Sequence, residues 1–440
     1  MRVLTLDVGS SSVKAAVVAG RRFLTPIVRK EVASRVAPPR VELDAEALWK
    51  AVAAAVRALG SAAREADRIA LDALSPSCVV LDREGDPLTP LITHQDRRSV
   101  DEALEIERRF GRRGHLLLAG NRPFPGGIGS TTLLWLRRNA PGVLRRAATV
   151  GMCTTFLVRR LTGSRTIDPG NAAFLGLLDF RARAAGGPAA WSRELCGPSG
   201  LRPSQLPDIL DGGAVAGMLT SRAARALGLR SGIEVLVGVV DTSAAFVGAG
   251  AVPGRLINVI GTTDVIALAG RKPRPHPRIL TRELGAGKLW LSVYTIACGG
   301  GAVEWAQRAL FPDLGTKAFY ALARRAASGP PPPVEFRPYL AGDRMSIRQR
   351  KAAFDGLDLK TTREDLLRAV LHSLAAWNAE GMRLLTRRGT PLRDVYVSGG
   401  GGWLGGFLHR TWPGRWKFHP LRNAGLEGLA RLAADGAPED

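Results

Sequence analysis

Two carboxylates sit where they could do chemistry. Asp241 closes the apolar run Val235-Leu-Val-Gly-Val-Val240 and is followed by small residues as far as Gly250. Asp7 closes Val3-Leu-Thr-Leu6 and is followed by Gly9-Ser10-Ser11-Ser12 and Lys14. A carboxylate at the end of a buried strand is costly unless water, a cation or hydrogen bonds meet it. Two of them beside small-residue turns suit a metal and nucleotide site. Asp7 could reach Mg2+ through water, since magnesium keeps part of its hydration shell.

Three glycine-containing turns could hold a nucleotide. Gly9, Ser10, Ser11, Ser12 and Lys14 offer backbone N–H groups, hydroxyls and an ammonium to phosphate. Read alone, they fit an ordinary Asx turn beside a solvated lysine equally well. Gly261-Thr262-Thr263-Asp264 lies between two apolar runs and could hold the outer phosphates. A plain hairpin is the commoner reason for such a turn. In Ser398-Gly-Gly-Gly-Gly-Trp-Leu-Gly405, Gly400, Gly402 and Gly405 formally match a dinucleotide fingerprint. That fingerprint continues into a helix, a strand and an acid about twenty residues on. Here Trp412-Pro-Gly-Arg-Trp416 follows, so a glycine floor beneath an adenine ring is expected instead. In His94-Gln95-Asp96-Arg97-Arg98-Ser99, Asp96 and Arg98 suit sugar hydroxyls, because carboxylate accepts and guanidinium donates in fixed directions. Read alone, this is a surface cluster capping the next helix. The P-loop pattern, the GxSxG elbow and the protein-kinase signatures are absent.

The chain has 440 residues, enough for two domains with full cores. Hydrophobic residues make up 45% and charged residues 23%, an ordinary globular balance. The four cysteines (Cys78, Cys153, Cys196 and Cys298) are widely spaced, which argues against a zinc site and for a reducing cytosol. The net charge of +23 would suit nucleic acid, but only nine of the 62 basic residues are lysines and they are spread throughout. That is a compositional arginine bias, with no specific nucleic-acid partner expected. Asp241 interrupts the run 235–252, which reads as a buried strand and turn rather than a membrane span. A cytoplasmic protein is expected, without a membrane partner. A homodimer is left open.

The elements that must position these residues follow from periodicity. Val3–Leu6 and Val13–Val18 read as a hairpin, and Leu256–Ile260 with Val265–Ala269 repeat that layout. Asp44 reads as the N-cap of a helix over 44–67, and Ile69–Leu74 as a strand. Helices are expected over 99–110, 130–139, 153–162 and 362–388, with a short one capped by Ser221. Residues 201–219 read as a connection, and Val395–Val397 as a strand.

These motifs, in this order, resemble the FGGY carbohydrate kinases of the actin-like ATPase superfamily, nearest to xylulose kinase-like members. Residues 7–14 resemble the first phosphate motif, and His94–Arg98 the W-x-D-x-R motif. Leu161-Thr-Gly163, Asp168 and Asn171-Ala172 resemble the LTG…D…NA stretch. Gly238-Val-Val-Asp241 resembles the region of the catalytic base, and Gly261-Thr-Thr263 the second phosphate motif. Gly300–Trp305 and Pro338–Arg344 resemble further family segments, and Ser398–Gly402 the adenosine motif. The resemblance implies an α/β protein of two actin-like (ribonuclease H-like) domains, over 1–248 and 249–440, each with a mixed β-sheet flanked by helices, and an active-site cleft between them. It implies Asp241 as general base, with Asp7 and Asp241 near Mg2+. It implies ATP held by the residues named above at 7–14 and 261–263, and by Gly300, Glu304, Gly400, Gly401 and Leu404. Ser75, Asp96, Arg98 and Asp241 would meet a small-molecule sugar or polyol, a ketose such as D-xylulose being expected. The chain departs from the pattern at Ser75-Pro-Ser-Cys78, at His94, and at His409-Arg-Thr-Trp412. A sensor without catalysis would fit those departures. An oxidoreductase would fit the formal fingerprint alone.

Overall fold

The computed structural model describes residues 1–387, 389–399 and 402–436. Gly400 and Gly401 lie outside the described residues, as does the 437–440 tail. By its internal packing the chain divides into two compact units, 1–253 with 269–291 and 423–440, and 254–268 with 292–422. The first unit thus includes two later returns of the chain, 269–291 and 423–440.

The first unit is built on the hairpin expected at its start. Val3–Val8 pairs antiparallel with Ser12–Ala19, which sets Asp7 opposite Lys14. Arg68–Ala73 lies parallel on the other side, with Asp72 beside Asp7. Val239–Val240 pairs with the end of that strand, so Asp241 emerges at the same edge. These strands are buried on both faces, hence their near-continuous apolar runs. Helix Ala45–Arg57 starts as expected, Asp44 accepting from the Ala47 N–H at 2.8 Å. It is not one helix to 67: Gly60, at φ +66°, separates a short second helix, Ser61–Arg64. Helix Ser221–Leu227 is capped by Thr220, one residue before the expected Ser221, and Thr220 accepts from the Ala223 N–H. The 201–219 connection holds strand Val215–Met218, which pairs antiparallel with Glu234–Leu236.

A smaller sheet positions Ser75 and the His94–Arg98 stretch. Strand Ser77–Leu81 pairs antiparallel with Leu91–Thr93, Ser77 opposite Thr93. Ser75 and the His94–Arg98 stretch therefore leave the same end of one ladder.

In the second unit, Leu256–Ile260 and Asp264–Gly270 form the second hairpin, with Ile260 opposite Asp264. Asp394–Ser398 runs parallel to Leu256–Ile260. The long helix is Arg363–Thr386, entered through a capping box of Thr362 and Asp365. The expectation that no helix and strand follow the glycine run is corrected here. Helix Gly402–His409 and parallel strand Lys417–Pro420 both follow. That strand, Lys417-Phe-His-Pro420, carries no acid. Among the described residues no helix is long and apolar enough to cross a membrane.

Candidate active site

The first unit gathers carboxylates. Asp241 is the first residue of helix Asp241–Gly248, reached through Gly238, whose φ is +83°. A side chain at Gly238 would lie 2.7 Å from the Leu71 carbonyl, so only glycine permits this approach to the neighbouring strand. Asp241 Oδ1 accepts from the Thr242 N–H at 2.6 Å and from its hydroxyl at 3.0 Å. Burial raises its pKa above the usual carboxylate range and Asp7 adds to this, while the Thr242 bonds and Arg282 oppose it. Lys14 Nζ lies 2.8 Å from Asp7 Oδ2. The turn between them is tied by Gly9 N–H to the Ser12 carbonyl at 2.9 Å, with Ser10 and Ser11 exposed and Ser12 buried.

Two residues here escape motif reading. Asp72 is fully buried, and neither carboxylate oxygen has a hydrogen-bond partner. Burial, then Asp7 and Asp241, raise its pKa far above the ordinary value. A side chain at Gly425 would lie 3.0 Å from Asp72 Oδ2 and 3.4 Å from Asp7 Oδ2, so both carboxylates face that glycine. Arg282 is also buried, donating to Ser243 Oγ at 2.6 Å and the Glu283 carbonyl at 2.9 Å. Burial lowers its pKa to about 10, against the pull of Asp168 and Asp241. For Asp72 a signal existed, an acid near the end of the apolar strand Arg68–Ala73. Arg282 carried none, because its partners are distant in sequence.

Ser75 Oγ donates to Asn171 Oδ1 at 2.7 Å, and the Asn171 amide donates in turn to Asp168. Burial raises the Asp168 carboxyl to about 6 despite those bonds. Asp96 is buried rather than part of a surface cluster. Its Oδ2 accepts from the Val41 N–H at 2.8 Å, and both its oxygens accept from Arg98, which also binds Glu42. Asp96 and Arg98 thus satisfy one another.

The second unit holds a cavity of about 700 Å³, within the range of ligand sites. Gly261, Thr262, Gly300, Glu304 and Leu404 line it, five of the residues expected at the nucleotide. Thr263 completes the turn, its carbonyl accepting from the Gly261 N–H at 2.8 Å. The Gly300 N–H donates to the Gly261 carbonyl at 2.8 Å, and a side chain at Gly300 would stand 2.7 Å from that oxygen. The Gly261–Thr263 turn is therefore seated on the start of helix Gly300–Leu310. Lys317, Tyr320 and Arg324 also line the cavity. They were missed, although their spacing places them on one face of helix Thr316–Ala326.

The model of the FGGY carbohydrate kinase N-terminal domain matches residues 2–248, and that of the C-terminal domain matches 256–403. The chain belongs to the FGGY family of carbohydrate kinases. It is 26% identical to the xylulose kinase of Escherichia coli over 404 residues, covering 90% of this chain and 81% of that one. It is 29% identical to the xylulose kinase of Streptomyces rubiginosus, covering 83% and 73%. The crystal structure of xylulose kinase from Rhodospirillum rubrum superposes with a TM-score of 0.84 at 25% identity, covering 99% and 90%. The fold is that of the actin-like ATPases, and membership makes this FGGY protein a carbohydrate kinase that uses ATP with Mg2+. The oxidoreductase reading is set aside.

The residues present fit magnesium. Asp72 is a buried carboxylate without a partner, facing Asp7, and Asp241 lies within electrostatic reach. Among the described residues no three acidic, histidine or cysteine side chains form a closed metal cage. Mg2+ suits such a site, since it is bound through one or two carboxylates plus phosphates and water. In this FGGY kinase the unpaired Asp72 has a cost that can be measured. Its folded pKa is raised, so its contribution favours the fold below the unfolded value and is lost as pH rises. In EDTA, Asp72→Asn is expected to stabilise the protein at pH 8 by on the order of 1–3 kcal/mol. The gain should shrink towards pH 4. Thermal melts across that range check it, and a gain independent of pH would remove the ionisation of Asp72 as its source.

Proposed function

We propose that this kinase transfers the γ-phosphoryl group of ATP to a hydroxyl of a sugar or polyol, a ketose such as D-xylulose being the substrate. The observation that carries the reading is Asp241: a partly exposed carboxylate at a strand-to-helix junction, hydrogen-bonded through Oδ1 to its own neighbour. As general base it accepts the proton of the attacking hydroxyl while the new O–P bond forms and ADP leaves. The Thr242 bonds, and to a lesser extent Arg282, favour its ionised form against burial. Ser75, through the Asn171–Asp168 chain, is the proposed polar contact for the acceptor. Asp96 and Arg98 are proposed as the wall that holds this loop end, their own bonds being largely spent on each other.

Phosphoryl transfer is largely positioning and charge stabilisation. Gly261, Thr262 and Thr263 present the outer phosphates, with Glu304 and Leu404 on the nucleoside side. Ser10, Ser11, Ser12 and Lys14 would bear on the transferred group. Mg2+, held by Asp7 and Asp241, would supply charge neutralisation between phosphate oxygens. The ketose is supported by the xylulose kinases among the relatives. An ADP-release assay over a panel of ketoses, aldoses and polyols tests the proposal, with D-xylulose expected to give the highest kcat/KM. A clear preference for another class would replace the ketose and leave the base in place. Silence across the panel with ATP bound would instead favour the sensor.

A further inference from the structure

Asp264 has no part in the transfer described above, and in sequence it is only the last residue of the turn Gly261–Asp264. It is buried all the same. Its Oδ1 accepts from Asn258 Nδ2 at 2.6 Å, and its Oδ2 accepts from Asn378 Nδ2. Each amide then accepts at its own oxygen. Asn258 Oδ1 lies 2.7 Å from His409 Nε2, and Asn378 Oδ1 accepts from the Trp412 indole N–H.

One charge sets the sense of every bond. A carboxylate only accepts, so both amides must turn their NH2 groups to it and their oxygens away. His409 must then carry its proton on Nε2. Burial lowers its pKa to about 4, so the ring is neutral, and it stacks on Phe418 with ring centroids 4.1 Å apart. Burial raises Asp264 itself to about 6 while the two amides hold its charge. His409 and Trp412 belong to the stretch that departs from the family pattern.

The network ties together the parts of the nucleotide cavity. Asp264 closes the phosphate turn, as the residue opposite Ile260. Gly299 is packed against it: a side chain there would lie 2.9 Å from Asp264 Cβ. That places the start of helix Gly300–Leu310 on the same residue. Asn378 is on the long helix, and His409 ends the helix that carries Leu404 into the cavity. We infer that Asp264 is a positioning residue for the nucleotide, locking the turn at Gly261–Thr263 to helix Gly402–His409. The inference rests on reading the cavity of the second unit as the ATP site.

The test uses Asp264→Asn, and the exchange Asp264→Asn with Asn378→Asp, which restores one carboxylate facing one amide. ATP affinity is read with a fluorescent ATP analogue, alongside KM for ATP, KM for the sugar, kcat and the melting temperature. Asp264→Asn is expected to weaken ATP binding and raise its KM roughly 10- to 100-fold, with sugar KM changed less than about twofold. The exchange should recover most of that loss. His409→Gln, which perturbs the network from its far end, should weaken ATP binding about 3- to 10-fold, and it serves if Asp264→Asn does not fold. Wild-type ATP affinity in the variants, with only the melting temperature lowered, would overturn the inference, as would an equal rise in sugar KM. Wild-type protein that binds no ATP would take down the reading of the cavity itself, and the inference with it.

Discussion

Asp241→Asn is expected to lower kcat by roughly 10²- to 10⁴-fold, the usual share of a general base, while ATP still binds. The amide is nearly the same shape but cannot take a proton. Its oxygen can still accept from the Thr242 N–H and hydroxyl, so the start of helix Asp241–Gly248 should hold. The residues lining the cavity of the second unit are untouched by the exchange, and Asp7 remains for Mg2+, which is why most of the ATP affinity should be spared. The pH dependence carries the same signature. A base must be ionised, and burial raises this carboxyl, so kcat/KM should fall with acid along a limb lying above the ordinary carboxylate range. The variant should also melt no lower than the wild type above neutral pH, because a raised folded pKa means that the charged form destabilises the fold. Near-normal turnover in Asp241→Asn would remove this residue from the mechanism.

Gly428→Ala is expected to cost about 3 kcal/mol or more and to abolish activity, although position 428 belongs to no chemical motif. A methyl group there would stand 1.8 Å from the Ala244 carbonyl oxygen and 2.9 Å from the Gly248 nitrogen. In return, a side chain at Gly248 would meet the Ala424 carbonyl at 2.5 Å. Helices Asp241–Gly248 and Ala424–Asp435 thus cross backbone to backbone, and no rotamer can relieve a clash with main-chain atoms. The helices must part, and the one displaced begins at Asp241. Urea unfolding and turnover measure the two effects. Gly114→Ala is the control: it too is helical, its space is open to 4 Å, and it should be neutral or stabilising by up to about 1 kcal/mol. A stable, active Gly428→Ala protein would show that this crossing has slack.

The fate of individual residues shows where sequence reading stops. Asp44, the two hairpins and their small-residue turns were legible because each depends on neighbours a few residues away. So was Asp241, since an acid after an apolar run stands out against its immediate context. The helix after the glycine run was not, because Gly402, Gly405 and Gly406 lower helical propensity and packing overrides it. Asp96 and Arg98 were legible as a pair, but that they bind one another, with Val41 N–H and Glu42 as further partners, depends on the fold.

By itself the sequence determined the local chemistry: which residues are acids, which turns can approach phosphate, and in what order they come, enough to identify a carbohydrate kinase. Only the tertiary structure decided which of these groups share an environment. Asp72 meets Asp7 across parallel strands, Arg282 lies near Asp241, and Asp264 gathers amides from positions 258 and 378. The last helix returns to the first unit to seat the one that carries the base. Desolvation and close packing act through space, so a carboxylate's pKa and a glycine's necessity depend on neighbours that chain order does not name.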